Sequence, residues 1–312
     1  MLSRTADSLY WMARYTERAE NIARLMEVSY RMSLQMHGGG GYWGAALGIT
    51  GLEAAYNAKH GAINANDVLR FMGTDFSNPS SILSCLKSAR ENCHAVRGTV
   101  TSEVWETINT TWLEARESAT ALTQGDVSGS ELTKYFEWVK FRSHLSRGVT
   151  VGTMLQDEAF HFIRLGTFLE RADNTARLLD VKYDDLAPAE DPRNEYYEWG
   201  ALLRSLSSFE IYRKVYRDVI TPNRVAELLI LRDDMPRSLH ACMKEVDQIL
   251  GLVANARSSE TRRMSGRVYS RLRYGRIDDI LSVGLHDYLT DFLNNIADLG
   301  NRIAQDFLVP MA

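Results

Sequence analysis

The sequence has few of the residues that hold disulfide-rich or zinc-stabilised proteins together. It contains three cysteines in 312 residues, Cys85, Cys93 and Cys242, and no CxxC spacing. An odd, widely spaced set argues against a disulfide framework and against a structural zinc site, and it favours a reducing compartment. The sequence therefore predicts a cytoplasmic protein.

Long uncharged stretches are also missing. Residues 1–26 are interrupted every few positions by Arg, Asp or Glu, which excludes the apolar core of a signal peptide. No later stretch reaches the roughly 18 uncharged residues of a membrane-spanning helix. The net charge of -4 gives no general reason to expect nucleic-acid binding. Neither a membrane nor a nucleic acid is expected as a partner.

Proline is scarce, and all six prolines fall where a helix can begin or end. Three of them follow a good N-cap residue, which predicts proline at the first helical position: Asn78-Pro79, Asp191-Pro192 and Thr221-Pro222. Pro236 is predicted to mark another helix start. Between these points apolar residues recur at spacings of three and four, and strand-like alternation is hard to find. The sequence therefore predicts an all-α, multi-helix bundle.

The periodicity predicts twelve helices, with loops where it fails. They lie near residues 3–36, 53–60, 66–73, 79–100, 102–124, 129–147, 151–183, 193–217, 222–232, 236–257, 259–273 and 276–308. The stretch from 184 to 191 holds Pro188 and is the best candidate linker. It separates an N-terminal helical region, 1–184, from a C-terminal one, 192–312, and we expect the two to pack as one continuous domain.

One motif occurs twice. Residues 17–25 read ERAENIARL and residues 170–178 read ERADNTARL, with seven of nine positions identical. The match extends over about one helix, which indicates a duplicated element or a decayed internal duplication. The two long helices that carry it are predicted to form a central pair with pseudo-two-fold symmetry. The motif residues are Glu17, Arg18, Glu20, Asn21, Arg24, Glu170, Arg171, Asp173, Asn174 and Arg177.

Helical geometry suggests how the motif is arranged. Glu17, Asn21 and Arg24 share one face, while Arg18 lies nearer the apolar stripe. A charged residue beside a core stripe needs a partner, because desolvating it alone is costly. We therefore predict that the two copies pair through Glu17–Arg171 and Glu170–Arg18. These groups form either a buried polar seam that fixes helix register or a cleft that grips a charged ligand.

At these residues the chain resembles a known family. The stretch LYWMARYTERAENIARL at 9–25 is similar to the bacterial alpha-E family, named for its helices and its Glu-Arg motif. Residues 78–97 and 165–180 resemble later blocks of that family. One departure is Thr167, which stands where the first copy has Arg14.

The resemblance implies an all-helical protein of a family whose biochemical activity is uncharacterised. Family members tend to be encoded or fused with circularly permuted ATP-grasp ligases and transglutaminase-like peptidases. The resemblance therefore implies a non-catalytic accessory protein that holds a peptide or docks one of these partners. A helical enzyme using paired Glu and Arg groups, or a ferritin-like di-metal site, is the alternative.

Two sequence pairs have a spacing that suits metal binding. The pairs Glu91–His94 and Glu158–His161 have the E-x-x-H spacing of di-iron bundles, and their partners would be Glu17, Glu106, Glu137 and Glu170. A chain this rich in Glu produces such pairs by chance, so no metal or cofactor is assigned. No nucleophile motif is present, so no catalytic residue is assigned either.

Two further features are better explained by ordinary structure. Gly38 to Gly41 lack the preceding strand and the GKS or GKT ending of a phosphate-binding loop, which predicts an inter-helix loop. Arg263, Arg267 and Arg271 follow one another at i+4 steps and form an arginine stripe. The stripe is either a solvated helix face or a site for an anion or an acidic partner.

Overall fold

In the computed structural model the described residues are 1–35, 40–124, 129–184 and 192–309, and within these ranges no β-strand occurs. The all-α prediction is confirmed. The described residues also include a π-helical turn, Ala304–Leu308. The helices are α1 (Ser3–Gln35), α2 (Gly40–Thr50), α3 (Glu53–His60), α4 (Ala65–Gly73), α5 (Ile82–Ala95), α6 (Ser102–Gln124), α7 (Gly129–Thr153), α8 (Glu158–Asp184), α9 (Pro192–Ser205), α10 (Phe209–Tyr216), α11 (Pro222–Leu231), α12 (Leu239–Leu252), α13 (Ser259–Arg273), α14 (Ile277–Val283) and α15 (Leu285–Ile303).

The chain divides into two compact units, Met1–Thr167 and Phe168–Ala312, whose boundary falls inside α8. In the first unit α1 packs on α5 and α7, and α6 packs on the same two helices, which closes a four-helix ring. The ring buries apolar residues that recur every three or four positions along α1, among them Met12, Ala19 and Met26. Helices α2, α3 and α4 pack on one another, and α2 and α4 also pack on α1.

The second unit is built around α12 and α13, which pack along each other. Helix α13 also contacts α15, and α11 contacts α12, α13 and α14. Its core is formed by fully buried aliphatic residues such as Leu229, Val246 and Leu299.

Several predicted helix boundaries were wrong. Helix α2 was missed, and it begins at Gly40, inside the glycine run that predicted a loop; Gly38 and Gly39 lie outside the described residues. A break was predicted after residue 147, but α7 continues through Gly148 and Gly152 to Thr153. The chain turns at Asp157 instead, whose Oδ1 accepts from the backbone N–H groups of Ala159 and Phe160 at 3.0 and 3.3 Å.

The prediction that a proline opens a helix is confirmed at two of the four positions. Pro222 is at the first position of α11 after Thr221, and Pro192 is the first residue of α9. The starts predicted at Pro79 and Pro236 were wrong, because each proline lies in a turn and the helix begins three residues later. Of the predicted linker only Asp184 is described; residues 185–191 lie outside the described ranges.

The same capping turn occurs in both units, at positions 157 residues apart. Ser81 Oγ accepts from the Ser84 N–H at 3.1 Å, and Ser238 Oγ accepts from the Ala241 N–H at 2.9 Å. One turn later, the buried Cys85 and Cys242 thiols donate to the Pro79 and Pro236 carbonyls, each at 3.9 Å. Shared local geometry therefore reaches beyond the nine-residue motif.

A second local contact is also shared. The Tyr56 hydroxyl accepts from the N-cap N–H of α4, at Asn64, and donates to the Ala62 carbonyl, both at 3.4 Å. The Tyr212 hydroxyl accepts from the N-cap N–H of α11, at Thr221, at 3.1 Å and donates to a loop carbonyl at 2.9 Å. An internal duplication stays a prediction, to which these contacts add.

Candidate functional site

The first motif copy buries two carboxylates on α1. Glu17 and Glu20 are both buried, and a cation contacts each of them. Arg24, also buried, donates from Nε and Nη2 to Oε1 of Glu20 at 2.8 and 2.7 Å. Glu20 and Arg24 are four residues apart, so the pair forms within one helix face.

Helix α7 supplies the second cation. Arg147 Nη1 donates to Glu17 Oε2 at 2.8 Å and lies 2.6 Å from Glu20 Oε2. The Ser143 hydroxyl donates to the same Glu20 oxygen at 2.7 Å. Two carboxylates and two guanidinium groups therefore form a charge-balanced network between α1 and α7. Such a network fixes the register of two helices, because sliding one helix along the other would separate the buried carboxylates from the α7 side chains that bind them.

His144 connects this network to solvent. Its side chain is about half-exposed, and its Nδ1 lies 2.7 Å from Arg147 Nη2. Its Nε2 lies 3.1 Å from Arg24 Nη2. A neutral imidazole has one acceptor nitrogen, so it accepts from only one of these two arginines at a time.

The network continues along the same two helices. Glu27, buried on α1, accepts from Arg31 at 2.7 Å and from Lys140 of α7. The sequence reasoning missed the α7 partners Lys140, Ser143 and Arg147. Their spacing of three and four places them on one helix face, and that spacing was the available signal.

The second motif copy has different surroundings. Asp173 accepts from Arg177 at 2.8 and 3.1 Å, and the Arg177 side chain is exposed. Glu170 and Arg171 are buried, and Arg171 Nη1 donates to the Pro236 carbonyl at 3.5 Å. Thr175 donates to the Arg237 carbonyl at 2.9 Å. Here the motif helix holds the turn that starts α12.

The remaining motif positions vary in burial. Asn21 is buried, Asn174 is partly exposed, and the partly exposed Arg18 guanidinium lies 5.7 Å from the centre of the Tyr15 ring. The predicted pairs Glu17–Arg171 and Glu170–Arg18 stay predictions.

The arginine stripe is partly neutralised by its own neighbours. Arg263 pairs with Glu260 at 2.8 Å, and Arg271 pairs with Asp291 of α15 at 2.6 Å. Within the described ranges Arg267 forms no ion pair, and its side chain is exposed. An anion that binds here would have to compete with weak, solvent-exposed pairs at two of the three positions.

The E-x-x-H pairs are not assembled into a centre. Glu91 lies 3.7 Å from Lys87, and His94 packs on the Trp105 ring. The pKa of His161 is lowered by burial and by the neighbouring Arg164, while Asp157 opposes the shift. Across the described part of the chain, no group of three or more His, Cys, Asp or Glu side chains is placed to hold a metal ion.

Comparisons with known proteins agree with the motif. The Alpha-E family model, described as a predicted alpha-helical domain with a conserved ER motif, matches residues 1–308. Uncharacterized proteins of Mycobacterium bovis and of two Mycobacterium tuberculosis strains are 24% identical over 313 residues, covering 94% of this chain. The chain spans 35% of the length of each of these relatives. No solved structure matches.

The sequence predicts that no helix crosses a membrane, and the helices of the structure can be compared with that prediction. None of the helices in the described ranges is both long enough and apolar enough to cross a bilayer.

Proposed function

Because the chain belongs to the Alpha-E family, we propose that it is a non-catalytic accessory component of a system that synthesises or modifies peptides. In this proposal it acts in the cytoplasm. It docks an ATP-grasp amide ligase and a transglutaminase-like peptidase, or it holds the peptide on which they act.

The proposal that the protein is non-catalytic rests on Glu17 and Glu20, two buried carboxylates that arginine side chains already bind. A general acid or base must reach a proton on the substrate, within about 3 Å or through one water. Glu17 and Glu20 are buried and held by Arg147, with Arg24 closing on Glu20. The oxygens of a carboxylate bound by a guanidinium are already used as hydrogen-bond acceptors. The motif is therefore better suited to holding α1 against α7 than to proton transfer.

The length of the relatives supports a role alongside other domains. In the mycobacterial proteins the matching region makes up 35% of the chain, so it is joined to further sequence. A domain that occurs within longer proteins suits a component that works next to others. The arginine stripe on α13 offers a basic surface for such a partner.

Co-purification tests this proposal. The chain, tagged, should retain an ATP-grasp ligase from the same organism, and the triple variant Arg263→Gln, Arg267→Gln, Arg271→Gln should weaken retention at least tenfold. The matched control Arg213→Gln, Lys214→Gln, Arg217→Gln removes the same charge from an exposed part of α10 and the loop after it, and should bind normally. No retention of either the ligase or the peptidase by the unmodified chain would contradict the partner proposal.

The alternative is a helical enzyme in which Glu and Arg groups, or two metal ions, act on substrate. One feature favours it: the half-exposed His144 contacts both network arginines and links them to solvent. Elemental analysis of the purified protein separates the two proposals. Near-stoichiometric iron or manganese, lost in Glu158→Gln or His161→Ala, would favour the metalloenzyme over the accessory protein.

A further inference from the structure

The four-helix ring of the first unit encloses a small cavity. Side chains of α1, α5, α6 and α7 line it, and half of them are polar: Thr16, Thr111, Arg142, Ser143 and Ser146. The centre of a water molecule can move within a volume of about 10 Å³ inside it. This is about the minimum space that one ordered water needs. The cavity therefore has room for one small molecule and for nothing larger.

Four of the polar lining groups are hydroxyls, and each of these side chains is at most 9% exposed. Thr16 and Thr111 donate to the backbone carbonyl four residues earlier, at 2.9 and 2.6 Å. Ser143 donates to the Glu20 carboxylate at 2.7 Å. A hydroxyl has one proton and two lone pairs. These three groups can therefore offer only an acceptor to a molecule in the cavity.

The fourth hydroxyl can act as a donor. In the described part of the chain the Ser146 side chain forms no hydrogen bond to another residue. A buried hydroxyl without a partner costs free energy, so a molecule that accepts from it is favoured. The lining as a whole offers one donor and up to three acceptors, which matches a molecule that both donates and accepts.

Arg142 excludes ionic occupants. Its Nε donates to Thr111 Oγ1 at 2.8 Å and its Nη2 donates to the Thr107 carbonyl at 3.0 Å, so both groups already have acceptors. An anion would meet mainly hydroxyl lone pairs. A cation would lie beside a guanidinium, and the lining has none of the carboxylates that usually hold one. A neutral water molecule fits the lining better than either ion.

The second unit fills the corresponding positions differently. Its capping turn lies 157 residues after that of the first unit, and the same separation pairs the lining of α5, α6 and α7 with α12, α13 and α15. Four polar positions become apolar or glycine: Thr111 pairs with Val268, Arg142 with Leu299, Ser143 with Gly300, and Ser146 with Ile303. Thr16 pairs with Leu169 when the two motif copies are aligned.

One position changes in the opposite direction. Ile108 pairs with Ser265, a buried residue, whereas Ala19, Leu86, Ala89 and Val139 pair with apolar residues. Five polar side chains in the first unit thus correspond to one in the second. Most of these positions can be aliphatic in a helical unit of this kind. The polar lining of the first unit therefore has a use that an aliphatic core does not serve.

We propose that one ordered water molecule occupies this cavity and belongs to the structure of the first unit. It accepts from the Ser146 hydroxyl and donates to two of the hydroxyls of Thr16, Thr111 and Ser143, which gives it the usual three hydrogen bonds of a buried water. Through Ser143 it extends the polar network of α1 and α7 across the ring to α6. This inference does not depend on the proposed accessory role.

A crystal structure of the unmodified chain tests the site directly. A water oxygen should lie within about 3.2 Å of Ser146 Oγ and of at least one other lining hydroxyl. A cavity without electron density between ordered side chains would overturn the proposal, and so would density for an ion or a larger molecule.

Oxygen-17 relaxation dispersion tests the site in solution, because it counts the water molecules that stay in the protein longer than it takes to tumble. Ser146→Val removes the donor and fills the space with an aliphatic group, as Ile303 does in the second unit, so one long-lived water should be lost. Thr150→Val is the matched control. It removes a buried α7 hydroxyl that does not line the cavity, and it should keep the count.

An unchanged count in folded Ser146→Val would overturn the proposal, and circular dichroism checks the fold of both variants. The crystallographic test needs no variant, so it decides the question if Ser146→Val does not fold.

Discussion

Arg24 and Arg177 occupy the same place in the two motif copies, yet their side chains have different surroundings. Each pairs with the acid four residues earlier. The Arg24 side chain is 8% exposed and Glu20 is fully buried, whereas the Arg177 side chain is 46% exposed. Solvent screens the second pair more strongly than the first. The motif letters alone therefore do not tell which copy carries the buried network.

Truncating these two arginines should have unequal effects. Arg24→Ala leaves the buried Glu20 carboxylate with Arg147 and Ser143 as partners, and should lower the free energy of unfolding by about 1.5–3 kcal/mol. Arg177→Ala removes an exposed pair and should cost about 0.2–1 kcal/mol. Urea unfolding followed by circular dichroism measures both values. Equal losses would show that the first network is not buried in solution.

The reactivity of Cys93, which has no role in the proposed function, tests whether this side chain is buried in solution. Burial raises the pKa of Cys93 to about 12, and Cys85 and Cys242 are buried as well. The thiolate is the reactive form, so native protein at pH 8 should react with Ellman's reagent far more slowly than a small thiol. Urea should release three reactive thiols per chain. A fast native reaction would contradict the packing of α5 around Cys93.

The raised pKa of Cys93 makes the free energy of unfolding depend on pH, and the direction of the change follows from it. An unfolded cysteine ionises near pH 9, whereas folded Cys93 keeps its proton until about pH 12. Its contribution to stability is therefore complete below pH 9 and is lost as the pH rises toward 12. The free energy of unfolding should fall over this window by less in Cys93→Ala than in the unmodified chain.

At the scale of elements, periodicity predicted the helices better than it predicted their ends. The spacing of apolar residues located α3 and α13 to the residue. It failed at Gly148, where glycine normally weakens a helix, because the packing of α7 against α1 and α6 outweighs that local cost. It missed α2, whose glycine run reads as a loop. The partners of the buried carboxylates could not be predicted, since they depend on which helices meet.

Capping explains the failure at Pro79 and Pro236, and it supplies a test. At both sites a serine two residues after the proline caps the helix. Ser238→Ala removes the bond to the Ala241 N–H and should cost about 1 kcal/mol. Thr221 is also an N-cap, but its side chain makes no capping bond, so Thr221→Ala should cost clearly less. Thermal unfolding of the two variants compares them. An equal loss would show that the Ser238 bond adds little.

At the scale of the whole molecule, the two units share local contacts but differ in what their motif helices hold. Both use a buried tyrosine to hold an N-cap and a serine to start the next helix. The buried Glu17–Glu20 network joins α1 to α7 in the first unit, whereas the motif helix of the second unit holds the turn that starts α12. If the units arose by duplication, the two copies of the motif have since taken different structural roles.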